Sequence, residues 1–485
     1  MSAERTLPPH TLRAAVSNRR MNRRAWLVTG LLVLFQIINF ADKAVLGLVA
    51  DSAMRDLKLT AGEFGFIGSA FFFLFAIAAV LVGFLAGKVP TRWILLAMGI
   101  SWAVLQFPML FGGGAAILLV TRILLGGAEG PATPITLQHV HGWFSAKERG
   151  LPSSMVAVGS TLGPIIAAPV LAAIIAHPDL GWRWAFGFLG IVGLVWSVLW
   201  FLMGREGPHS HTAKKTRAAA GPAAEASDAD AADADARPAK EAASITERAD
   251  MLKLVPIRAV LGSKMFIVAV LAGAGCFWTQ GFLTTWSPKY LAAVVSLPPA
   301  TIGLVSTFPW ILGALALLVL GYSSRFLMRR GVTVRWALGA LFGATLLVSG
   351  ICFLVLPNVS GGVAVAVMTV GAGLAMIYPL APTAVAFCVG SKQRAAIMAT
   401  LTGLASIGGV VAPAMVGALM DKSGYIPAPK GVRESAEMAA RLADGMNSSF
   451  GSIGLYLVVV GIICVLFLNP DRTASSLQKK FVFNG

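Results

Sequence analysis

The sequence predicts an all-α integral membrane protein: twelve transmembrane helices in two six-helix bundles, with both termini cytoplasmic. Three observations predict it. The 485 residues are 56% hydrophobic and 13% charged, where a water-soluble chain carries about a quarter charged residues. The apolar residues run continuously for roughly 20 at a time, the length that crosses a hydrocarbon core about 30 Å thick, and do not alternate as barrel strands do. The second half of the chain also repeats landmarks of the first. A soluble enzyme, a secreted disulfide scaffold and an outer-membrane barrel are excluded. So is a free-standing nucleic-acid binder, in spite of a net charge of +17.

Taken in order, the spans fall near residues 26–50, 64–87, 93–112, 115–140, 150–176, 184–204, 264–288, 298–321, 336–356, 361–390, 395–420 and 450–468. The first run is long, carries Asp42 and Lys43 and lacks a small-residue cleavage site, so the basic arm before it (1–25) reads as retained and not as part of a signal peptide. Lys and Arg favour cytoplasmic loops. With both termini inside, 29 of the 39 lie on the inner side, 8 lie in outer loops, and Lys43 and Arg122 lie within spans. The net charge is therefore an orientation signal. Residues 26–204 form the N-terminal bundle and 263–470 the C-terminal one. Between them 205–262, rich in Ala, Asp, Pro and Lys, reads as a disordered cytoplasmic linker, and 471–485 is a cytoplasmic tail. Cys276, Cys352, Cys388 and Cys464 sit in apolar spans without paired spacing and read as packing residues. His139 and His141, beside Trp143, read as interfacial residues and not metal ligands. Between spans 11 and 12, Met438, Leu442 and Met446 recur every four residues and predict a short amphipathic outer helix.

The repeat is local but consistent. Pro131 and Pro134 in span 4 match Pro379 and Pro382 in span 10, followed by Thr136 and Thr383 respectively. Arg149 and Gly163 recur as Arg394 and Gly408, both offset by 245. The loop from Gly83 to Arg92 after span 2 is echoed from Gly321 to Arg330 after span 8. A parallel repeat of this kind places a substrate between two bundles that rock about it.

These motifs carry a family resemblance. Gly83-Phe-Leu-Ala-Gly87-Lys88-Val-Pro90-Thr-Arg92 resembles the loop 2–3 signature of the major facilitator superfamily, with Gly87 in place of its aspartate and Pro90 in place of its second glycine. The helix connection is kept, while the charge relay of the inner gate lacks its usual acid. Asp42-Lys43, Arg122-Ile-Leu-Leu-Gly126-Gly-Ala-Glu129, Gly181-Trp-Arg183 and Trp286-Ser-Pro288-Lys-Tyr290-Leu291 resemble the anion:cation symporter branch, which includes sugar-acid and other organic-anion carriers. That branch commonly has Asp-Arg where this chain has Asp42-Lys43, and a lysine keeps the charge without the forked grip of a guanidinium. The resemblance implies that Asp42 and Glu129 carry protons, that Lys43 binds substrate, and that Gly83, Lys88 and Arg92 belong to a gating loop.

The residues point the same way. A charge near the bilayer centre costs about 2.5–3.5 kcal/mol and marks a pathway, and the predicted spans hold four: Asp42, Lys43, Arg122 and Glu129. Arg122 and Glu129 share a helix face, about 10.5 Å apart along the axis. Burial favours the neutral carboxyl and nearby cations favour the carboxylate. A cation drawn toward an anionic substrate therefore lets its carboxylate take a proton, which couples the two. A structural ion network between spans 1 and 4, and a Lys43 that snorkels toward headgroups, are the bland alternatives. The C-terminal half has no span charge and must orient substrate through neutral groups, with Trp278, Thr279, Gln280, Tyr378, Thr400 and Thr402 as candidates; Ser160 and Thr161 stand likewise in span 5. Organophosphate exchangers of the superfamily that the chain resembles present a basic residue from each half; the span 7 partner is missing here, so the resemblance implies that a monovalent carboxylate suits the site better than a phosphate.

The expectation is a monomeric secondary carrier of the bacterial inner membrane. It imports a sugar acid or other carboxylate with protons and needs no cofactor, metal or nucleic acid. Two other readings stay open: a proton-driven drug exporter, from the small residues and proline of Gly159, Gly163-Pro164 and Ala167-Ala168 in span 5, and a transporter-like sensor acting through the linker. No nucleophile–base pair or phosphate-binding loop supports an enzyme.

Overall fold

The computed structural model describes residues 9–85, 89–144, 148–208, 210, 255–386, 388–389, 391–429 and 434–483. Lys88 of the predicted gating loop and the greater part of the predicted linker lie outside them. Twelve helices are long and apolar enough to cross a bilayer: Asn22–Leu57, Ala61–Val82, Thr91–Leu110, Ala115–His141, Gly150–Ala176, Arg183–Met203, Lys264–Thr285, Thr301–Arg329, Arg335–Asn358, Gly361–Ala386, Ala396–Lys422 and Ala436–Phe467. Among the described residues there is no strand.

Packing follows the repeat. Span 1 packs on span 5, span 2 on span 4 and span 3 on span 6; with every number raised by six, span 7 packs on span 11, span 8 on span 10 and span 9 on span 12. Lipid offers no hydrophobic drive between helices, so close contact at small residues supplies the attraction. A Cβ on Gly159 or Gly163 would strike the carbonyl oxygens of Val33 and Ile37 in span 1, at 2.8 and 2.6 Å. In the other half Gly343 and Gly350 meet the carbonyl oxygens of Gly461 and Gly454, each at 2.7 Å. The halves meet chiefly where span 2 packs on span 11 and span 5 on span 8. Apolar side chains such as Phe73, Leu81, Val195, Leu318 and Leu455 stay exposed on the outer surface, as suits a protein whose solvent is lipid.

The proline repeat appears as a shared break. Span 4 consists of helices Ala115–Glu129 and Ala132–His141, and span 10 of Gly361–Ala375 and Leu380–Ala386. Pro131 and Pro379 fall at the two breaks, where a missing N–H and a ring clash with the carbonyl four residues back interrupt a helix.

Three boundaries differ from expectation. Span 8 does not end near Gly321; its helix Phe308–Arg329 runs two turns further and stops at Gly331, whose φ of 84° is the left-handed turn that ends helices. No separate outer helix precedes span 12, because Met438, Leu442 and Met446 belong to one helix, Ala436–Phe467, with Leu442 and Met446 buried. Ser435 starts that helix by accepting a hydrogen bond from Met438 N, and no proline follows to break it. Span 1 continues past residue 50 to Leu57, which brings Asp51, Arg55 and Asp56 into the same helix.

Candidate functional site

Glycine contacts set the position of the charged residues. Gly126 and Gly130, one turn apart on span 4, press against the backbone carbonyls of Phe71 and Phe75 in span 2. This close approach carries the helix bearing Arg122 and Glu129 inward. Span 1, held by Gly159 and Gly163 of span 5, brings Asp42 and Lys43 to meet it.

The four charges that the sequence places within spans, Asp42, Lys43, Arg122 and Glu129, come together there. Lys43 Nζ donates to Glu129 Oε2 at 2.5 Å, to Asn39 Oδ1 at 2.8 Å and to Asn39 O at 3.4 Å. Its ammonium lies 4.3 Å from the centre of the Phe40 ring and within 6 Å of Phe71 and Phe75, the distance at which an aromatic face attracts a cation. Lys43 therefore points inward to Glu129 and not to the headgroups. Asp42 Oδ1 accepts from Gln106 Nε2 of span 3 at 2.5 Å. The carboxyls of Asp42 and Glu129 stand within hydrogen-bonding reach of each other, and both feel the charge of Arg122. Among the described residues, none donates to Glu129 Oε1. Arg122 packs its guanidinium against Phe186 at 5.2 Å. The four side chains are nearly closed to solvent: Asp42 is 2% exposed, Lys43 8%, Arg122 3% and Glu129 1%.

Lys43 and Arg122 also line a small cavity between the halves, bounded by Gly68, Phe71 and Phe72 of span 2 and by Thr284 and Thr285 of span 7. Two cations line it from the N-terminal half, the charge that a small anion requires, while Thr284 returns its hydroxyl to the backbone of its own helix. Beside this cavity Phe72 and Phe75 pack edge-on against Phe277, which packs against Tyr378 at 4.9 Å.

The neutral candidates divide. Tyr378 donates its hydroxyl to Thr402 Oγ1 at 2.9 Å, so these two form one unit joined to the charged cluster through the aromatic layer. Thr279, Thr400 and Ser160 return their hydroxyls to the backbone of their own helices, at Gly275 O, Ala396 O and Ala157 O. Gln280 is half-buried, one turn before Thr284, whose hydroxyl donates to the Gln280 backbone carbonyl at 2.9 Å; Thr161 is likewise half-buried. Trp278 faces away from the cluster, its ring tilted against Tyr456 of span 12 at 5.7 Å. Of the gating loop, Gly83 lies in the helix Ala61–Leu85, and Arg92 stays within its own half: its Nη2 donates to Phe201 O at 2.9 Å and its backbone N–H to Glu206 Oε1 at 2.8 Å.

His139 is not interfacial. It is 1% exposed, its Nδ1 2.8 Å from Thr91 Oγ1 and its Nε2 3.0 Å from Arg205 O, because the chain after span 6 folds back over the end of span 4.

Sequence reasoning missed Asn39, Gln106, Thr284 and Thr285. Asn39 carried a usable signal, one turn before Lys43 on the same helix face; Gln106 is an amide within an apolar run. The threonines carried none, since their place follows from where span 7 meets span 1.

A Major Facilitator Superfamily family model matches residues 32–413. Among curated proteins the chain is similar to the hexuronate transporter of Bacillus subtilis, 25% identical over 401 residues that cover 81% of this chain and 87% of that one. It is similar also to the D-galactonate transporter of Escherichia coli, at 25% identity, covering 66% of this chain and 72% of that one. Among solved structures, a bacterial homolog of the human lysosomal transporter Spinster superposes with a TM-score of 0.70 at 17% identity, over 94% of this chain and 98% of that one.

Proposed function

The chain belongs to the Major Facilitator Superfamily, and from that premise we propose that it imports a small carboxylate, a sugar acid foremost, in symport with protons by alternating access. It is a transporter and not an enzyme, an integral protein of the inner membrane. The observation that carries the reading is the Lys43–Glu129 ion pair at the edge of a cavity that Arg122 also lines, with Asp42 touching the same glutamate.

The arrangement makes binding and protonation mutually dependent. With the cavity empty, Lys43 neutralises Glu129. An arriving carboxylate competes for the same ammonium, and each new contact with it leaves Glu129 with less compensating charge. A buried carboxylate without a cation takes up a proton, since desolvation penalises its charged form. Two carboxyls in contact repel when both are ionised, so Asp42 and Glu129 share a proton more readily than either holds one alone. Substrate loss returns Lys43 to Glu129 and releases the proton. Arg122 holds a second positive charge against Asp42 throughout.

The sugar-acid relatives, with Lys43 and Arg122 lining the cavity, support a polyhydroxylated carboxylate. A cationic drug would meet Lys43 and Arg122, which disfavours the export reading. The test is uptake into vesicles across labelled organic acids with an imposed pH gradient. Hexuronates and aldonates are expected to accumulate, and Glu129→Gln to abolish accumulation while exchange of anion for anion continues. Gradient-driven accumulation that survives Glu129→Gln would remove the coupling role.

A further inference from the structure

The Trp286-Ser-Pro288-Lys289-Tyr290 segment takes no part in this site, yet it carries another buried cation. The Lys289 side chain is 1% exposed and donates to Asp51 of span 1 and, at 2.5 Å, to Glu434 just ahead of span 12. Glu434 also accepts from the Tyr425 hydroxyl, which burial and the neighbouring carboxylate hold far above the usual range for losing its proton. Asp51 belongs to the N-terminal half and Lys289, Glu434 and Tyr425 to the C-terminal half. Lys289 therefore ties the halves together.

A second tie is built differently. The helix of span 2 begins at Ala61, and the first N–H groups of any helix lack partners within it. Thr60 and Glu63 cap each other in a reciprocal box, Thr60 N to Glu63 Oε2 at 2.9 Å and Glu63 N to Thr60 Oγ1 at 3.2 Å. This leaves the N–H groups of Ala61 and Gly62. Asp421, at the end of span 11 in the opposite half, accepts both: Ala61 N on Oδ1 at 3.0 Å and Gly62 N on Oδ2 at 2.9 Å, with Thr60 Oγ1 also on Oδ2 at 2.9 Å. A negative charge is thereby placed at the positive end of a helix dipole, a favourable position. Phe64 of span 2 packs edge-on against Trp286 at 5.6 Å between the two ties.

Both ties lie at one end of the molecule, where spans 1, 7 and 11 finish and span 2 starts. The positive-inside pattern makes this the outer end. We infer that Asp421 and Lys289 are the two clasps of an outer gate, and that both must part before the cavity lined by Lys43 and Arg122 opens to the outside. The inference rests on the alternating-access reading. Its physical ground is that each clasp joins the halves by charge and hydrogen bonds alone, which water replaces on opening; Asp51 is already 36% exposed. Interlocked apolar side chains have no such exchange available.

The test reads the gate without needing the substrate. Thr284 lines the cavity beneath the clasps and is 6% exposed. In a Cys352→Ala background, Thr284→Cys is labelled with a membrane-impermeant maleimide added outside intact cells. Adding Asp421→Ala or Lys289→Met is expected to raise the labelling rate about ten-fold or more, since each removes hydrogen bonds to a charged group. Labelling at the parent rate, in variants that reach the membrane in normal amount, overturns the inference. A second arm covers a variant that fails to fold. A Cβ built on Gly62 lies 3.4 Å from Asp421 Cγ, near where a cysteine sulfur would stand, so Gly62→Cys with Asp421→Cys is expected to cross-link on oxidation, stop uptake and recover on reduction. Undiminished uptake through a complete cross-link overturns the inference equally. Labelling that rises while the protein with Thr284 intact transports no organic acid would leave the gate standing and count against the substrate reading alone.

Discussion

Lys43 holds Glu129 and Asn39 before any substrate arrives, at 2.5 and 2.8 Å. An anion must displace at least one of them. Lys43→Ala is expected to raise KM for the transported anion about ten-fold or more, the range for losing a charge-assisted hydrogen bond, while Lys43→Arg keeps the charge and retains binding. Asn39→Leu is expected to raise KM less than Lys43→Ala does, because Asn39 only positions the ammonium; equal effects from the two would contradict that ranking. Concentration dependence of initial uptake measures all three. The cluster was legible because a charge inside an apolar run stands out in any reading. Lys289 and Asp421 were not, since they lie where the chain reads as outer loop and find their partners only when the halves meet, Lys289 buried and Asp421 half-buried. The neutral residues were ambiguous for a related reason: composition says that Trp278 and Tyr378 lie in spans, but not that one is turned toward span 12 and the other toward Thr402.

The helices are positioned by their small residues. Gly126 of span 4 touches the backbone carbonyl of Phe71, an atom that cannot yield unless span 2 moves with it. Gly126→Val is expected to destabilise the protein by about 1–3 kcal/mol, the usual effect of overpacking, and to cut uptake by displacing Arg122 and Glu129. Gly451→Ala is the control, because a Cβ there meets nothing within 4 Å and its unfolding temperature in detergent is expected to match the parent. If both variants melt alike, close packing at Gly126 is not what seats span 4. The matching prolines of spans 4 and 10 were legible as a repeat, while the helix breaks beside them emerge only in the structure. The extensions of spans 8 and 12 were not. Polar residues such as Ser323, Ser324, Arg325 and Arg441 end an apolar run without ending a helix, so hydropathy stops where the hydrogen bonding continues.

At the scale of the whole molecule, the six-number offset in packing partners makes the protein two similar bodies around one asymmetric site, with the four span charges in the N-terminal body and neutral groups in the other. On the proposed mechanism, proton coupling belongs to one half, and the other orients the substrate and closes over it. Two bundles were legible from the repeat; how their ends join was not, because that depends on Asp421 reaching a helix start some 360 residues earlier in the chain. In the proposed mechanism the Lys43–Glu129 pair takes up a proton together with an anion. Purified protein in liposomes, given labelled hexuronate and an outside-acid gradient, tests it most directly. Proton coupling through this pair is expected to give accumulation that a protonophore collapses and that Glu129→Gln eliminates while anion exchange persists. Accumulation indifferent to the protonophore, or undiminished in Glu129→Gln, would contradict it.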